Sequence, residues 1–194
     1  MITDISQLDP NGTYTYADYL KWQFDESVEL IKGKLYRMSP APRRAHQLAV
    51  SHLLVDISIF FGDQDCQIYT APFDVRLPVR NERKPDQLHT VVQPDLCIIC
   101  DPAKLDDSGC LGAPDWVIEI TSPRTIKKDF NEKYNLYEQS GVKEYWIVVP
   151  KENIVHVYVL ENGEYALVDI YESGDIPSRT FPELTIRYER IFPK

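Results

Sequence analysis

The chain has 194 residues, 43% hydrophobic and 26% charged, a balance that builds a sizeable core and excludes disorder as the default. Its net charge of −9 excludes a uniformly basic nucleic-acid binder, so any phosphate-binding surface must be local. No apolar run approaches the roughly 20 residues that span a bilayer, so no membrane association is expected.

The opening Met1-Ile-Thr-Asp-Ile-Ser6 has neither the basic start nor the apolar core of a signal peptide, and a cytoplasmic location is the expectation. Thr13 to Trp22 predicts a short helix, with Tyr16, Tyr19 and Leu20 at helical spacing. Ser27 to Met38 reads as two short strands turning at Lys32-Gly33, and Ser39-Pro-Ala-Pro42 then breaks the chain. Arg43 to Phe61 is the clearest helix: Leu48, Leu53, Leu54, Ile57, Phe60 and Phe61 line one stripe, and Gly62 stops it.

Strands are predicted at Gln67 to Thr70, Phe73 to Leu77 and Val91 to Ile99, with a polar loop from Asn81 to Leu88. Asp101 to Pro114 reads as a second loop with one helical turn. Asp115 to Thr121 predicts a strand, Thr125 to Ser140 an amphipathic helix ended by Gly141, and Lys143 to Val149 another strand. That order predicts a right-handed parallel crossover. Ile154 to Leu160 and Tyr165 to Ile170 flank Asn162-Gly163, a strong hairpin signal, and Leu184 to Tyr188 adds a last strand. No repeat or linker interrupts the chain, so residues 1–194 are expected to form one α/β domain around a mixed sheet.

Basic residues cluster at Lys32, Lys34, Arg37, Arg43 and Arg44 with no acid between them, whereas Lys151 to Glu189 carries eight acidic residues against three basic ones. The first segment reads either as a phosphate-binding surface or as a solvated charged face. Cys97 and Cys100 form a C-x-x-C within a strand, where side chains three apart point to opposite faces. With no second ligand pair to complete a tetrahedral zinc site, Cys66, Cys97, Cys100 and Cys110 read as buried core cysteines.

Two acids interrupt apolar strands: Asp95 after Pro94, and Glu119 within Trp116-Val-Ile-Glu-Ile120. A buried carboxylate needs a cation or donor. The pair either converges on a hard cation, which takes oxygen ligands and activates water against a phosphodiester, or pairs with Arg and Lys of nearby helices.

The ordered set Glu29-Leu-Ile-Lys-Gly-Lys34, Met38-Ser-Pro-Ala-Pro42 with His46-Gln47, Ala71-Pro-Phe-Asp-Val-Arg-Leu77, Val92-Gln-Pro-Asp-Leu96, Val117-Ile-Glu-Ile-Thr-Ser-Pro123, Glu132-Lys-Tyr-Asn-Leu-Tyr137 and Gly141-Val-Lys-Glu-Tyr-Trp-Ile-Val148 resembles the PD-(D/E)XK nuclease superfamily. Within it, the chain is similar to the Uma-two family from about Tyr16 to Tyr158. The resemblance implies a restriction-endonuclease-like mixed β-sheet flanked by helices, with additional β-hairpins. It implies that Asp95 and Glu119 bind Mg²⁺ or Mn²⁺, with the Ile120 carbonyl as a further ligand. The superfamily lysine two residues after the second acid is absent, since Thr121 stands there. Lys133 on the following helix matches the residue that fills its role in this family, orienting water or stabilising phosphate charge; otherwise it is a surface lysine or a helical partner of Asp129.

Glu29 matches an early acid that supports the metal or its waters, and alternatively reads as an exposed hairpin residue. Arg43, Arg44, His46 and Gln47 are candidate phosphate contacts at the start of the long helix. Arg124, Lys127 and Lys128 are either further backbone contacts or solvated lysines and arginine. The function implied is a metal-dependent endonuclease acting on DNA, able to work as a homodimer for two-strand cleavage. The alternative is a catalytically inactive nuclease-fold binding or regulatory module, which Thr121 and the acidic net charge favour. A metal-independent scaffold with internal ion pairs is a third reading.

Overall fold

Thr15 and Asp18 cap one another reciprocally and start helix α1 (Tyr16–Tyr19), which is shorter than its spacing predicts. Strands β1 (Val28–Ile31) and β2 (Lys34–Arg37) form the expected hairpin. Its turn needs positive φ at both central residues, +50° at Lys32 and +78° at Gly33. The computed structural model describes residues 2–38, 43–62, 64–79 and 83–193. The predicted break at Ser39-Pro-Ala-Pro42 and the first two residues of the Asn81 to Leu88 loop lie outside them. Helix α2 (Arg44–Phe61) buries Ala49, Leu53, Ile57 and Phe61, one residue per turn. Leu53, Ile57 and Phe61 belong to the predicted stripe, Ala49 does not, and Leu48, Leu54 and Phe60 are half-buried at its edges.

Strands β3 (Gln67–Thr70), β4 (Val75–Arg76), β5 (Val91–Val92) and β6 (Leu96–Ile99) follow. The single strand expected from Val91 to Ile99 is therefore two. Pro94 lacks the N–H that a continuous ladder requires, and the break carries the chain from one sheet to another. The stretch expected as a loop at Asp101 to Pro114 contains the predicted helical turn at Pro102–Lys104. It also holds a small hairpin of β7 (Leu105–Asp106) and β8 (Gly109–Leu111).

Strand β9 (Trp116–Ile120) leads into the predicted amphipathic helix, which is not uniform. It runs as α3 (Ile126–Lys128), a π-helical turn (Asp129–Lys133) and α4 (Tyr134–Ser140), and Gly141 ends it at φ +87°. The chain returns as β10 (Glu144–Val149), parallel to β9 with Ile147 opposite Glu119. Strands β11 (Ile154–Glu161) and β12 (Glu164–Tyr171) turn at Asn162-Gly163 as predicted. The short pair β13 (Asp175–Pro177) and β14 (Thr185–Arg187) and helix α5 (Tyr188–Ile191) complete the described elements.

Two six-stranded mixed sheets result, ordered β2-β1-β5-β4-β8-β7 and β12-β11-β10-β9-β6-β3. The second is covered on both sides. On one face, Trp116, Ile118, Trp146 and Val148 pack against Ala49, Leu53, Ile57 and Phe61 of α2. On the other, Val117, Tyr145 and Ile147 pack against Leu136 and Tyr137 of α4. The first sheet lies beside that second face, joined to it through Ile31, Val75, Leu77 and Val92.

One expectation is corrected. Cys66 and Cys100 are joined by a disulfide, while Cys97 and Cys110 are free and buried. Antiparallel β3 and β6 place Gln67 opposite Ile99, so the next outward pair, Cys66 and Cys100, meets across the ladder. Cys97 packs on the opposite face of that sheet from Cys100, as strand alternation requires. Among the described residues no helix is long and apolar enough to cross a membrane.

Candidate metal and catalytic centre

The site lies where the two sheets meet. Glu29 comes from β1 of the first sheet, Glu119 from β9 of the second, and Asp95 from the Gln93-Pro94-Asp95 link between β5 and β6. Because Leu96 pairs with Ile118, Asp95 stands beside the end of β9, and its Oδ2 accepts the Ile120 amide at 2.7 Å. His46 Nε2 of α2 lies 3.1 Å from the same oxygen.

Lys133 ties the sheets together. Its Nζ is 2.7 Å from Glu119 Oε1 and 2.8 Å from Glu29 Oε1, and its side chain is 4% exposed. Tyr137, one turn further along, donates its hydroxyl to Glu119 Oε1 at 2.7 Å. Glu29 is fully buried; it also accepts from the Gln93 amide at 3.0 Å and from Lys128 Nζ at 2.5 Å. Gln93 is held in turn by its side-chain amide on Asp74, at 2.8 Å. Asp129 is buried beside these groups, at the start of the π turn. Such turns are frequent at functional sites.

The electrostatics follow from this crowding. Burial, reinforced by Asp95, Asp129 and Glu29, outweighs Lys133 and pushes the Glu119 carboxyl up to about 8. Burial likewise raises Asp129 to about 6. Burial would also raise Glu29, but the Lys133 and Lys128 ammonium groups overcome it and bring the carboxyl down to about 2. Lys133 is itself held well above its usual value, since its three acidic neighbours outweigh its desolvation. It is therefore a fixed cation, not a proton acceptor at neutral pH.

Four carboxylates, all ionised, would face two ammonium groups here, a deficit that one divalent cation cancels. The donors fit a hard cation: Asp95 and Glu119 supply oxygen, and such ions complete their shell with water and substrate phosphate. Among the described residues no group of three or more His, Cys, Asp or Glu side chains is arranged to hold a metal ion, so the side-chain donors here number two, Asp95 and Glu119.

The Uma2 family model, described as "Putative restriction endonuclease", matches residues 16–189. The chain belongs to the Uma2 family. An uncharacterized protein of Synechocystis sp. is 23% identical over 162 residues, covering 81% of this chain and 80% of the relative. A crystal structure from Anabaena variabilis ATCC 29413, of "a putative nuclease belonging to DUF820", superposes with a TM-score of 0.71 at 20% identity. It covers 92% of this chain and 97% of that one. The fold class is restriction-endonuclease-like α/β, as the resemblance implied.

In this Uma2 chain, the predicted residues Glu29, Asp95, Glu119 and Lys133 come together, with Ile120 at the edge through its amide. Glu29 is not an exposed hairpin residue, and Lys133 is not a surface lysine: both are buried. Lys128 is not a solvated lysine either, because it pairs with Glu29. His46 contacts Asp95, whereas Arg43, Arg44 and Gln47 stay exposed at the start of α2. Thr121 is buried and its amide donates to Val148, so it closes the β9–β10 ladder. Sequence reasoning missed Tyr137 and Gln93. Tyr137 recurs four residues after Lys133, the only signal that could have placed it against Glu119, and aromatic residues at that spacing ordinarily read as core.

Proposed function

We propose that this chain is a nuclease that hydrolyses phosphodiester bonds, in DNA, with Mg²⁺ or Mn²⁺ held by Asp95 and Glu119. The observation that carries this reading is the Glu119–Lys133 pair beside Asp95. It supplies two strand-borne carboxylates and, from the following helix, the cation that Thr121 does not provide. Family membership and the fold support the same class. In this reading the Ile120 carbonyl is a further ligand, and residues 1–194 act as one cytoplasmic domain able to pair as a homodimer.

A bound divalent cation lowers the pKa of a coordinated water and withdraws charge from the phosphate. The rest falls to the chain. Lys133 stays protonated, stabilises negative charge developing on the phosphate, and holds Glu119 in place. Glu29 positions Lys133 and Lys128, since both its oxygens are already taken by their donors and the Gln93 amide. His46 steadies Asp95, and Arg43, Arg44 and Gln47 meet the phosphate backbone from the exposed start of α2.

The test is incubation of end-labelled DNA and RNA oligonucleotides with Mg²⁺, Mn²⁺ or EDTA, beside Asp95→Ala. Metal-dependent cutting of DNA by wild type alone supports the proposal, and cutting of RNA alone corrects its substrate. No cutting of either, with metal bound, would mark the chain as an inactive nuclease-fold binding module.

A further inference from the structure

Glu119 Oε1 accepts two hydrogen bonds, from Lys133 Nζ at 2.7 Å and from Tyr137 Oη at 2.7 Å. No donor among the described residues reaches Oε2. The two donors stand four residues apart on one helix, so one rigid element fixes both. Tyr137 is fully buried and packs edge-on against Tyr145 at 5.1 Å, which leaves its hydroxyl little freedom.

We propose that Tyr137 is a positioning residue: with Lys133 it engages Glu119 Oε1, so that Glu119 meets the metal through Oε2 alone. This rests on the metal-dependent reading above. The consequence is a preference among cations. Mg²⁺ demands near-ideal octahedral geometry, which single-oxygen carboxylates satisfy, whereas Ca²⁺ takes more oxygens and uses carboxylates in either mode. Pinning one oxygen denies Glu119 the two-oxygen mode and disfavours Ca²⁺. Lys133 alone leaves this task shared, since its ammonium also serves Glu29.

The experiment is calorimetric titration of Mg²⁺, Mn²⁺ and Ca²⁺ into metal-free wild type, Tyr137→Phe and Tyr145→Phe. Tyr145 is the control, because its equally buried hydroxyl donates to the Asp129 carbonyl and not to Glu119. Tyr137→Phe is expected to bind Mg²⁺ and Mn²⁺ about 10–100-fold more weakly, as for other groups that orient metal ligands, with Ca²⁺ less affected. Tyr145→Phe is expected to keep wild-type metal affinities. Equal Mg²⁺ affinity in wild type and Tyr137→Phe overturns the inference alone, and so does an equal loss in both variants. Absence of metal binding by wild type overturns the metal-dependent reading with it. A crystal structure of wild type with Mn²⁺ decides without any variant: one-oxygen ligation by Glu119, with Tyr137 still on the other oxygen, supports the assignment, and two-oxygen ligation refutes it.

Discussion

Two buried glutamates on neighbouring parallel strands have opposite surroundings. Glu144 of β10 faces the α2 side of the second sheet, with Trp116 and Trp146. Trp146 donates to its Oε1 at 2.7 Å, and the Ser178 hydroxyl and the Arg179 and Thr180 amides donate to its Oε2 at 2.8, 2.9 and 2.6 Å. Both oxygens are satisfied by neutral donors, which ties the segment around residues 178–180 to the sheet. Glu119 of β9 faces the other side, with one oxygen doubly occupied, the other without a donor among the described residues, and three acids nearby. Burial alone does not mark a functional acid; an unmet acceptor amid like charge does.

The largest effect is expected at Lys133. Lys133→Ala leaves Glu29 and Glu119 buried without their shared cation, and is expected to cost about 3–5 kcal/mol, the range for breaking a buried pair. Denaturant unfolding of this variant, and of one carrying Glu29→Gln as well, measures it. The double variant should recover part of the loss. A Lys133→Ala protein as stable as wild type would show that the lysine does not hold the sheets together.

Matched Glu→Gln changes sharpen the contrast. Glu144→Gln turns one of two oxygens that together accept four hydrogen bonds into a donor facing donors, and is expected to cost about 2–3 kcal/mol, independent of metal. Glu119→Gln resembles the protonated carboxyl that prevails below about pH 8 without metal. In EDTA at pH 7 it should change stability by less than about 1 kcal/mol, yet lose the stabilisation that Mg²⁺ is expected to give wild type. Thermal melts of both, with and without Mg²⁺, decide the matter.

Acidity gives a subtler test. Glu119 and Asp129 have folded-state values of about 8 and about 6, raised above those of free carboxyls. Their contribution to stability is complete below the unfolded values near 4 and is lost as pH rises through about 6 and then about 8. Glu29, lowered to about 2, acts in the opposite sense: its contribution is present above about 4.5 and lost as pH falls toward 2. In EDTA the melting temperature should fall between pH 5 and pH 8.5, less so in Glu119→Gln. Saturating Mg²⁺ should flatten the fall in wild type, because metal ligation keeps Glu119 ionised. A melting temperature that rises over this range in EDTA would contradict the assignment.

The smallest effect is expected at the exposed start of α2. Neutralising Arg43 and Arg44 should weaken DNA binding evenly across sequences and lower the salt slope by about 1 per lost phosphate contact. Unchanged affinity would remove this surface from the account.

Much of this was legible in the sequence for physical reasons. Strand alternation, the Lys32-Gly33 and Asn162-Gly163 turns and the stripe of α2 are local signals, and they placed the elements. Acids inside apolar strands marked Asp95 and Glu119. The same signal passes through Glu144, in Glu144-Tyr-Trp-Ile-Val-Val149, and cannot tell an anchor from a site. What separates them is which donors arrive from residues 128–137 and 178–180, and that depends on tertiary packing. The Cys66–Cys100 disulfide and the transfer between sheets at Pro94 were hidden likewise, because strand order is not written in any one strand.

The most direct test of the central claim is cleavage of supercoiled plasmid with Mn²⁺ by wild type and Glu119→Gln, each also run in EDTA. Nicking or linearisation by wild type with Mn²⁺ alone, and by Glu119→Gln under neither condition, is the predicted result. Equal cleavage by both proteins, or cleavage that survives EDTA, would contradict a metal-dependent nuclease centred on Glu119.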